Sequence, residues 1–273
     1  MMISRRQALG GATALAAALG TTGTGLAAAA KGASKALARG RRSEQTAQRF
    51  LEVLIHRDEA GKAPHVGEIS IAAPDTSWYA IDTLDELTYA TVNRQNKKRG
   101  LRLRRVSAFK TRKGLRYAAC WEQVQGPDWH SRHHMTKQGF DAANADFVKR
   151  GFRLAYLDAR ALYSAIWEKG DASTQQVFSR LTPSDYQQQY ATLTGQGMRP
   201  TRLSLSFADG APFVAAIFEK DSGSVAWQSL VQLSATDFHK SNAMLKTQSY
   251  RMTDASGHML SGKAAFTGIW ERA

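Results

Sequence analysis

Cysteine is almost missing from this 273-residue chain, since Cys120 stands alone. No internal disulfide can form, so the fold does not depend on an oxidising compartment. Long bulky apolar runs are missing as well. The one sustained weakly apolar stretch lies at the N-terminus, and its Ala, Gly and Thr make a poor membrane anchor. From Leu87 to Trp121 there is not one acidic residue. No stretch carries a trustworthy catalytic signature, and no Cys-x-x-Cys spacing occurs, so neither a cofactor nor a metal is expected.

What is present is ordinary in bulk and unusual in charge. At 43% hydrophobic and 22% charged, the composition excludes wholesale disorder. A formal charge of +14 favours anionic partners, whether nucleic acid, acidic glycans, lipid head groups or cell-wall polymers. The N-terminal Ser4 to Gly20, SRRQALGGATALAAALG, pairs two arginines with the weakly apolar run and leads to small residues near Ala29. It reads as a twin-arginine export signal over residues 1–30, although Ala8 stands where a larger apolar residue is usual. The basic KGASKALARGRR that follows reads as a linker over 31–42. The expected location is periplasmic or secreted, with no stable anchor once the signal is removed. That makes nucleic acid the weaker choice of anion.

The body of the chain repeats itself. YAACWEQ at Tyr117, YSAIWEK at Tyr163, VAAIFEK at Val214 and FTGIWER at Phe266 are four versions of one strand. Before each lies a strand opening Gly-x-Arg: GLRLRRVS at Gly100, GFRLAYLD at Gly151, GMRPTRLS at Gly197, and SYRMTDAS at Ser249 with serine in the glycine place. Before those lie helices of about a dozen residues, starting TLDEL at Thr83, TKQGF at Thr136, TPSDY at Thr182 and SATDF at Ser234. Ser or Thr is the expected N-cap, with Glu86, Asp185 or Asp237 three residues on. Met135, Leu181 and Leu233 before the cap and Phe140, Tyr186 and Phe238 after it form hydrophobic staples. The glycines then fall where the chain must turn left-handed to leave the helix.

Alternation along the recurring strand puts an aromatic, a small residue and an aromatic on one face, as in Tyr163, Ala165 and Trp167. A helix can approach over the small residue while the rings pack beside it. Each unit also offers an Arg at the start of one strand and a Glu at the end of the next. These are Arg102, Arg153, Arg199 and Arg251, with Glu122, Glu168, Glu219 and Glu271. They are expected to form structural pairs, within or between units. A degenerate unit is expected ahead of these, with TAQRFLEVLIH at Thr46 to His56 helical and Gly67 to Asp82 a hairpin turning at Pro74-Asp75. The fold class is thus an α+β tandem repeat of about five helix-strand-strand units. Their hairpins would meet in parallel to make one curled mixed sheet, half-barrel or closed, with the helices on one face. The units would span 43–82, 83–135, 136–181, 182–233 and 234–273.

The pattern Gly-[Tyr/Phe/Met]-Arg-[Pro/Leu], then Ala-Ile-Trp-Glu-Lys, then a Ser/Thr-capped helix with an early aromatic, resembles the bacterial tandem repeat (BTR1) family. GPDWHSRHHMT at Gly126 to Thr136 is similar to the linker that this family places before the next helix. The resemblance covers Thr83 to Arg272 and implies an extracytoplasmic recognition or scaffold module. Such repeats stand beside β-lactamase-like serine hydrolase domains, as in polyglycine hydrolases, and that catalytic domain has no counterpart here. One Ser-x-x-Lys occurs, Ser107 to Lys110, but on a strand its Ser and Lys would face opposite ways.

The basic stretch supplies the candidate site. Arg102, Arg104, Arg105, Lys110, Arg112, Lys113 and Arg116 are the anion-binding candidates, against the alternative of a solvated basic face. His130, His133 and His134 cluster beside Asp128 but lack a converging second segment, so a polar linker is preferred to a metal site. The expected function is an exported binding or scaffold module for an extracytoplasmic protein, peptide or anionic polymer. The alternative is a hydrolase, or an accessory subunit of one, with a site assembled between repeats. The oligomeric state is left open.

Overall fold

In a computed structural model of the chain, the structure describes residues 50–57, 64–71, 78–111, 114–160, 162–208, 211–260 and 263–272. The expected export signal and basic linker lie outside them. Two strands come first, β1 (Phe50–Arg57) and β2 (Pro64–Ile71), and then strand, helix, strand, strand occurs four times. The first unit is β3 (Trp78–Leu84), α1 (Glu86–Lys98), β4 (Arg102–Thr111) and β5 (Gly114–Glu122). The second is β6 (Trp129–Met135), α2 (Lys137–Lys149), β7 (Phe152–Ala159) and β8 (Tyr163–Lys169). The third is β9 (Gln175–Leu181), α3 (Pro183–Gly195), β10 (Met198–Ala208) and β11 (Ala211–Lys220). The fourth is β12 (Trp227–Ser234), α4 (Ala235–Thr247), β13 (Tyr250–Leu260) and β14 (Lys263–Arg272).

Two expectations are corrected. Among the described residues there is no single curled sheet: each unit builds its own three-stranded antiparallel sheet, ordered β3-β5-β4, β6-β8-β7, β9-β11-β10 and β12-β14-β13. The reason lies in the stretch before each helix. WHSRHHM, read as linker, is strand β6, and it pairs Trp129 with Glu168 and Met135 with Tyr163. Both edges of the recurring Trp-Glu strand are thereby filled within its own unit, so no edge remains for a parallel neighbour. The described residues do not form the expected fifth unit either. Phe50–Arg57 is a strand paired with β2, not a helix. Trp78–Leu84 opens the first full unit, and Pro74 and Asp75 lie outside the described residues.

The local signals explain the elements. Thr182 accepts from the Asp185 backbone N–H at 3.1 Å while its hydroxyl donates to the Asp185 carboxylate at 2.7 Å, and Ser234 does the same with Asp237. In the first unit the cap is Asp85 rather than Thr83, accepting from the Thr88 backbone and hydroxyl. With that shift Leu84 and Tyr89 become the staple pair that Thr83 could not supply. Gly100, Gly151 and Gly197 leave their helices at φ of 77–79°, and Ser249 does so at 63° without the glycine that this conformation favours.

The stripe packs as the alternation predicts. Trp121, Trp167, Phe218 and Trp270 are all fully buried. In the second unit Phe147 stacks on Trp167 at 4.5 Å and Phe140 on Tyr163 at 5.4 Å, with buried Ala165 between the strand rings. The buried indole N–H is also matched. Trp121 donates to Asn93, Trp167 to Asn144 and Trp270 to Asn242, at 2.9–3.0 Å. Each Asn stands eight residues after its cap. In the third unit the pair changes together, Phe218 replacing Trp and Tyr190 replacing Asn, so there is no indole N–H for an Asn to match.

Candidate functional site: a pocket where four units meet

Every second strand carries a bulge two residues after its repeat Arg, at Arg104, Ala155, Thr201 and Thr253. A bulge inserts one unpaired residue and re-aims the side chains beside it. The residue after it is Arg105, Tyr156, Arg202 or Asp254, the same position in four units. These four side chains converge. Asp254, 1% exposed, accepts from Arg105 and, at 2.5 Å, from Arg202, and its other oxygen accepts from the Leu203 backbone N–H at 2.9 Å. Arg202 also donates to the Leu157 carbonyl at 2.7 Å and to the Tyr156 hydroxyl at 3.2 Å. Its guanidinium lies 4.3 Å from the centre of the Tyr156 ring. Arg105 reaches the Thr253 carbonyl at 2.6 Å and the far side of the same cluster. A charge-assisted knot of this kind, out of water, ties units one to four across an axis that no single repeat contains.

The repeat Arg and Glu residues form the next layer. Arg102 pairs with Glu168, Arg153 with Glu219 and Arg199 with Glu271, at 3.2, 2.8 and 2.7 Å. In backbone register each Arg faces the Glu of its own unit, yet its side chain crosses to the next one. The pairing is therefore between units and acts as a register key for stacking. Arg251 of the last unit is exposed. Arg104 bridges Glu122 at 3.4 Å and Glu168 at 3.3 Å.

Together the two layers enclose a cavity of about 250 Å³ on the axis. Arg105, Arg202 and Asp254 close its buried end, while Arg104, Arg153 and Glu219 stand at its exposed end. The small bulge residues Ala155, Thr201 and Thr253 leave the space open. Among the described residues, neither serine, cysteine nor histidine lines it. Each lining carboxylate already has an arginine partner: Glu122 and Glu168 hold Arg104, Glu219 holds Arg153, and Asp254 holds Arg105 and Arg202.

A polyglycine hydrolase-like structural repeat model matches residues 75–124, 126–170, 174–221 and 224–273. The chain belongs to that repeat family. Each matched segment starts ahead of the strand that precedes the helix, which is the unit that the sheets define, rather than at the helix cap. No curated protein matches the chain.

Within this family frame the sequence candidates separate. Arg102, Arg104 and Arg105 come together around the axis, Arg102 and Arg105 as interior ion pairs and Arg104 at the pocket mouth. Arg116 donates to the Leu115 carbonyl at 2.8 Å, well away from them. Lys110 is at the end of β4, and Arg112 and Lys113 lie outside the described residues. Of the described side chains in the basic stretch, Arg102, Arg104 and Arg105 gather around the axis and Arg116 does not line the pocket. The histidines disperse as well. His130 packs on Phe147 and Phe152, His134 lies 3.5 Å from Glu86, and half-buried His133 shares a 2.9 Å hydrogen bond with Tyr89. Burial pushes the His133 imidazole down to about 4 and the Cys120 thiol far up, which leaves that cysteine inert. No metal-holding cluster occurs among the described residues. Ser107 is buried in β4, and the Ser-x-x-Lys pairing carries no pocket residue.

Sequence reasoning missed Tyr156, Arg202 and Asp254. A signal existed. Three residues after each repeat Arg, four otherwise similar strands read Arg, Tyr, Arg and Asp, so the symmetry breaks there in charge.

Proposed function

We propose that this chain is an exported tandem-repeat binding module whose recognition site is the axial pocket, taking an anionic group of an extracytoplasmic partner. The observation that carries the reading is the broken symmetry at Arg105, Tyr156, Arg202 and Asp254. Repeats that serve only as spacers need equivalent residues at equivalent positions. Recognition needs one asymmetric site, and of the two positions that all four units turn into the cavity this one carries the larger contrast in charge. Binding is favoured over hydrolysis by the lining itself. A nucleophile needs a base within hydrogen-bond reach, and the carboxylates here are each neutralised by an arginine. The twin-arginine pattern at Ser4 to Gly20 supports export, and the charge of +14 supports an anionic partner.

The test is co-sedimentation of the purified protein with an isolated cell-envelope fraction at graded salt. Wild type is expected in the pellet at low salt, with release as salt rises. Ala155→Trp, which fills the cavity from the bulge, is expected in the supernatant with an unchanged circular dichroism spectrum. Equal pelleting of the two proteins would place recognition elsewhere on the surface.

A further inference from the structure

We infer that the group entering the axial pocket is a small carboxylate, clamped between Arg104 and Arg153. This rests on the pocket being the recognition site, and it adds the chemical class. Arg104 occupies the bulge position that the other units give to Ala155, Thr201 and Thr253. The repeat ladder supplies one arginine to each of Glu168, Glu219 and Glu271, and Arg104 stands at the mouth between Glu122, which no ladder arginine reaches, and Glu168. Its contacts are long, 3.4 and 3.3 Å, against 2.8 and 2.7 Å for Arg153–Glu219 and Arg199–Glu271. They engage Nε and Nη1, and among the described residues Nη2 has no partner.

Arg153 stands on the facing unit and uses only Nη1, on Glu219. Its Nε and Nη2 have no hydrogen-bond acceptor among the described residues. Both side chains reach solvent, at 38% and 34% exposure. Two guanidinium edges with spare N–H groups match the two oxygens of a carboxylate in a way that a spherical anion cannot use. The Thr201 and Thr253 hydroxyls, held only by 3.4 Å contacts to the Ile217 and Ile269 carbonyls, add two further donors. Four lining arginines and four lining carboxylates balance in charge, so the spare N–H groups of Arg104 and Arg153, not an excess of positive charge, would hold the ligand. A cavity of about 250 Å³ admits a small organic acid or the carboxylate end of a longer chain, and excludes a nucleic-acid duplex.

The experiment measures the full chain by thermal shift and calorimetry with three probes at equal ionic strength: sodium acetate, acetamide and sodium chloride. Acetate is expected to raise the midpoint saturably, while acetamide and chloride do not. Arg104→Gln should weaken acetate about tenfold, the effect of losing one charge-assisted contact. Should that variant fail to fold, Arg153→Lys retains the charge opposite Glu219, removes the spare guanidinium edge, and should weaken acetate by a similar factor. Equal responses to acetate and chloride, or undiminished acetate binding in either folded variant, would overturn the carboxylate assignment. The pocket reading fails separately, through Ala155→Trp in the envelope assay.

Discussion

His133 offers the sharpest test of how the first two units are joined. The side chain sits in β6 against Tyr89 of α1, and the rings of Tyr89 and Tyr117 stack at 4.6 Å beside it. No carboxylate pairs with it, and its Nδ1 is buried without a hydrogen-bond partner among the described residues. Burial alone therefore depresses its pKa, from an ordinary 6.5 to about 4. The sign follows from where the proton binds more tightly. Between about pH 4 and 6.5 the unfolded chain takes up a proton that the folded chain refuses. Stability is thus full above about pH 6.5, falls as pH drops through that window, and stops falling below about 4. The whole effect is about 3 kcal/mol, and about 2 kcal/mol has gone by pH 5. Urea unfolding at pH 7.5 and pH 5 measures it, with His133→Gln as the reference, since Gln keeps a hydrogen-bonding group near Tyr89 but cannot titrate. His130 and His134 are common to both proteins and cancel. Wild type should lose about 2 kcal/mol more than the variant between the two pH values. Parallel losses would mean that His133 is hydrated in the folded state, and the tight packing of β6 against α1 would be refuted.

Three further outcomes follow from the same geometry. Asp254→Asn leaves Arg105 and Arg202 sharing a neutral group in the interior and should cost about 3–5 kcal/mol, while Arg199→Met, at a pair more than 20% exposed on both sides, should cost roughly 1 kcal/mol or less; chemical denaturation separates the two. Asn144→Ala should cost about 1–3 kcal/mol by orphaning the Trp167 indole N–H, whereas Asn144→Tyr combined with Trp167→Phe, which copies the third unit, should show a favourable coupling of about 0.5–3 kcal/mol in a double-mutant cycle. Ser249→Gly relieves a side chain held at φ 63° and should raise stability by up to about 1 kcal/mol, read as an increase in thermal midpoint.

Much of the unit was legible because its signals are local. A capping hydroxyl, a staple pair, a left-handed exit and a two-residue alternation each act over fewer than ten residues, and each is where the spacing places it. Two local readings fail: the helical spacing of Thr46 to His56 gives way to a strand over Phe50–Arg57 paired with β2, and Thr83 gives way to Asp85 because TLDEL contains two competent caps that only the staple partner Tyr89 distinguishes. The first strand of each unit was harder to see. WHSRHHM runs five polar residues in a row, His130 to His134, and a left-handed His134 (φ 60°) breaks the strand pattern, so nothing in its composition competes with a linker reading. What identifies it is a partner strand later in the chain, paired from Trp129 with Glu168 to Met135 with Tyr163.

The same distinction between local and distant information explains the site. Repetition makes it natural to count Arg102, Arg153, Arg199 and Arg251 as the meaningful set, because they recur. Yet recurrence marks what every unit needs in order to stack on the next, and the Arg–Glu ladder is that contact. Function in such an array must come from positions where the copies disagree and where geometry still brings them together. The first condition can be checked by aligning the units on paper, and Arg105, Tyr156, Arg202 and Asp254 meet it. The second depends on a bulge in each strand, which changes the facing of one residue without leaving a sequence mark of its own, since Arg, Ala and Thr all occupy it. Shifting that bulge by one residue in a single unit would turn its hub side chain toward the opposite face, emptying one quarter of the pocket lining while leaving the unit's own sheet intact.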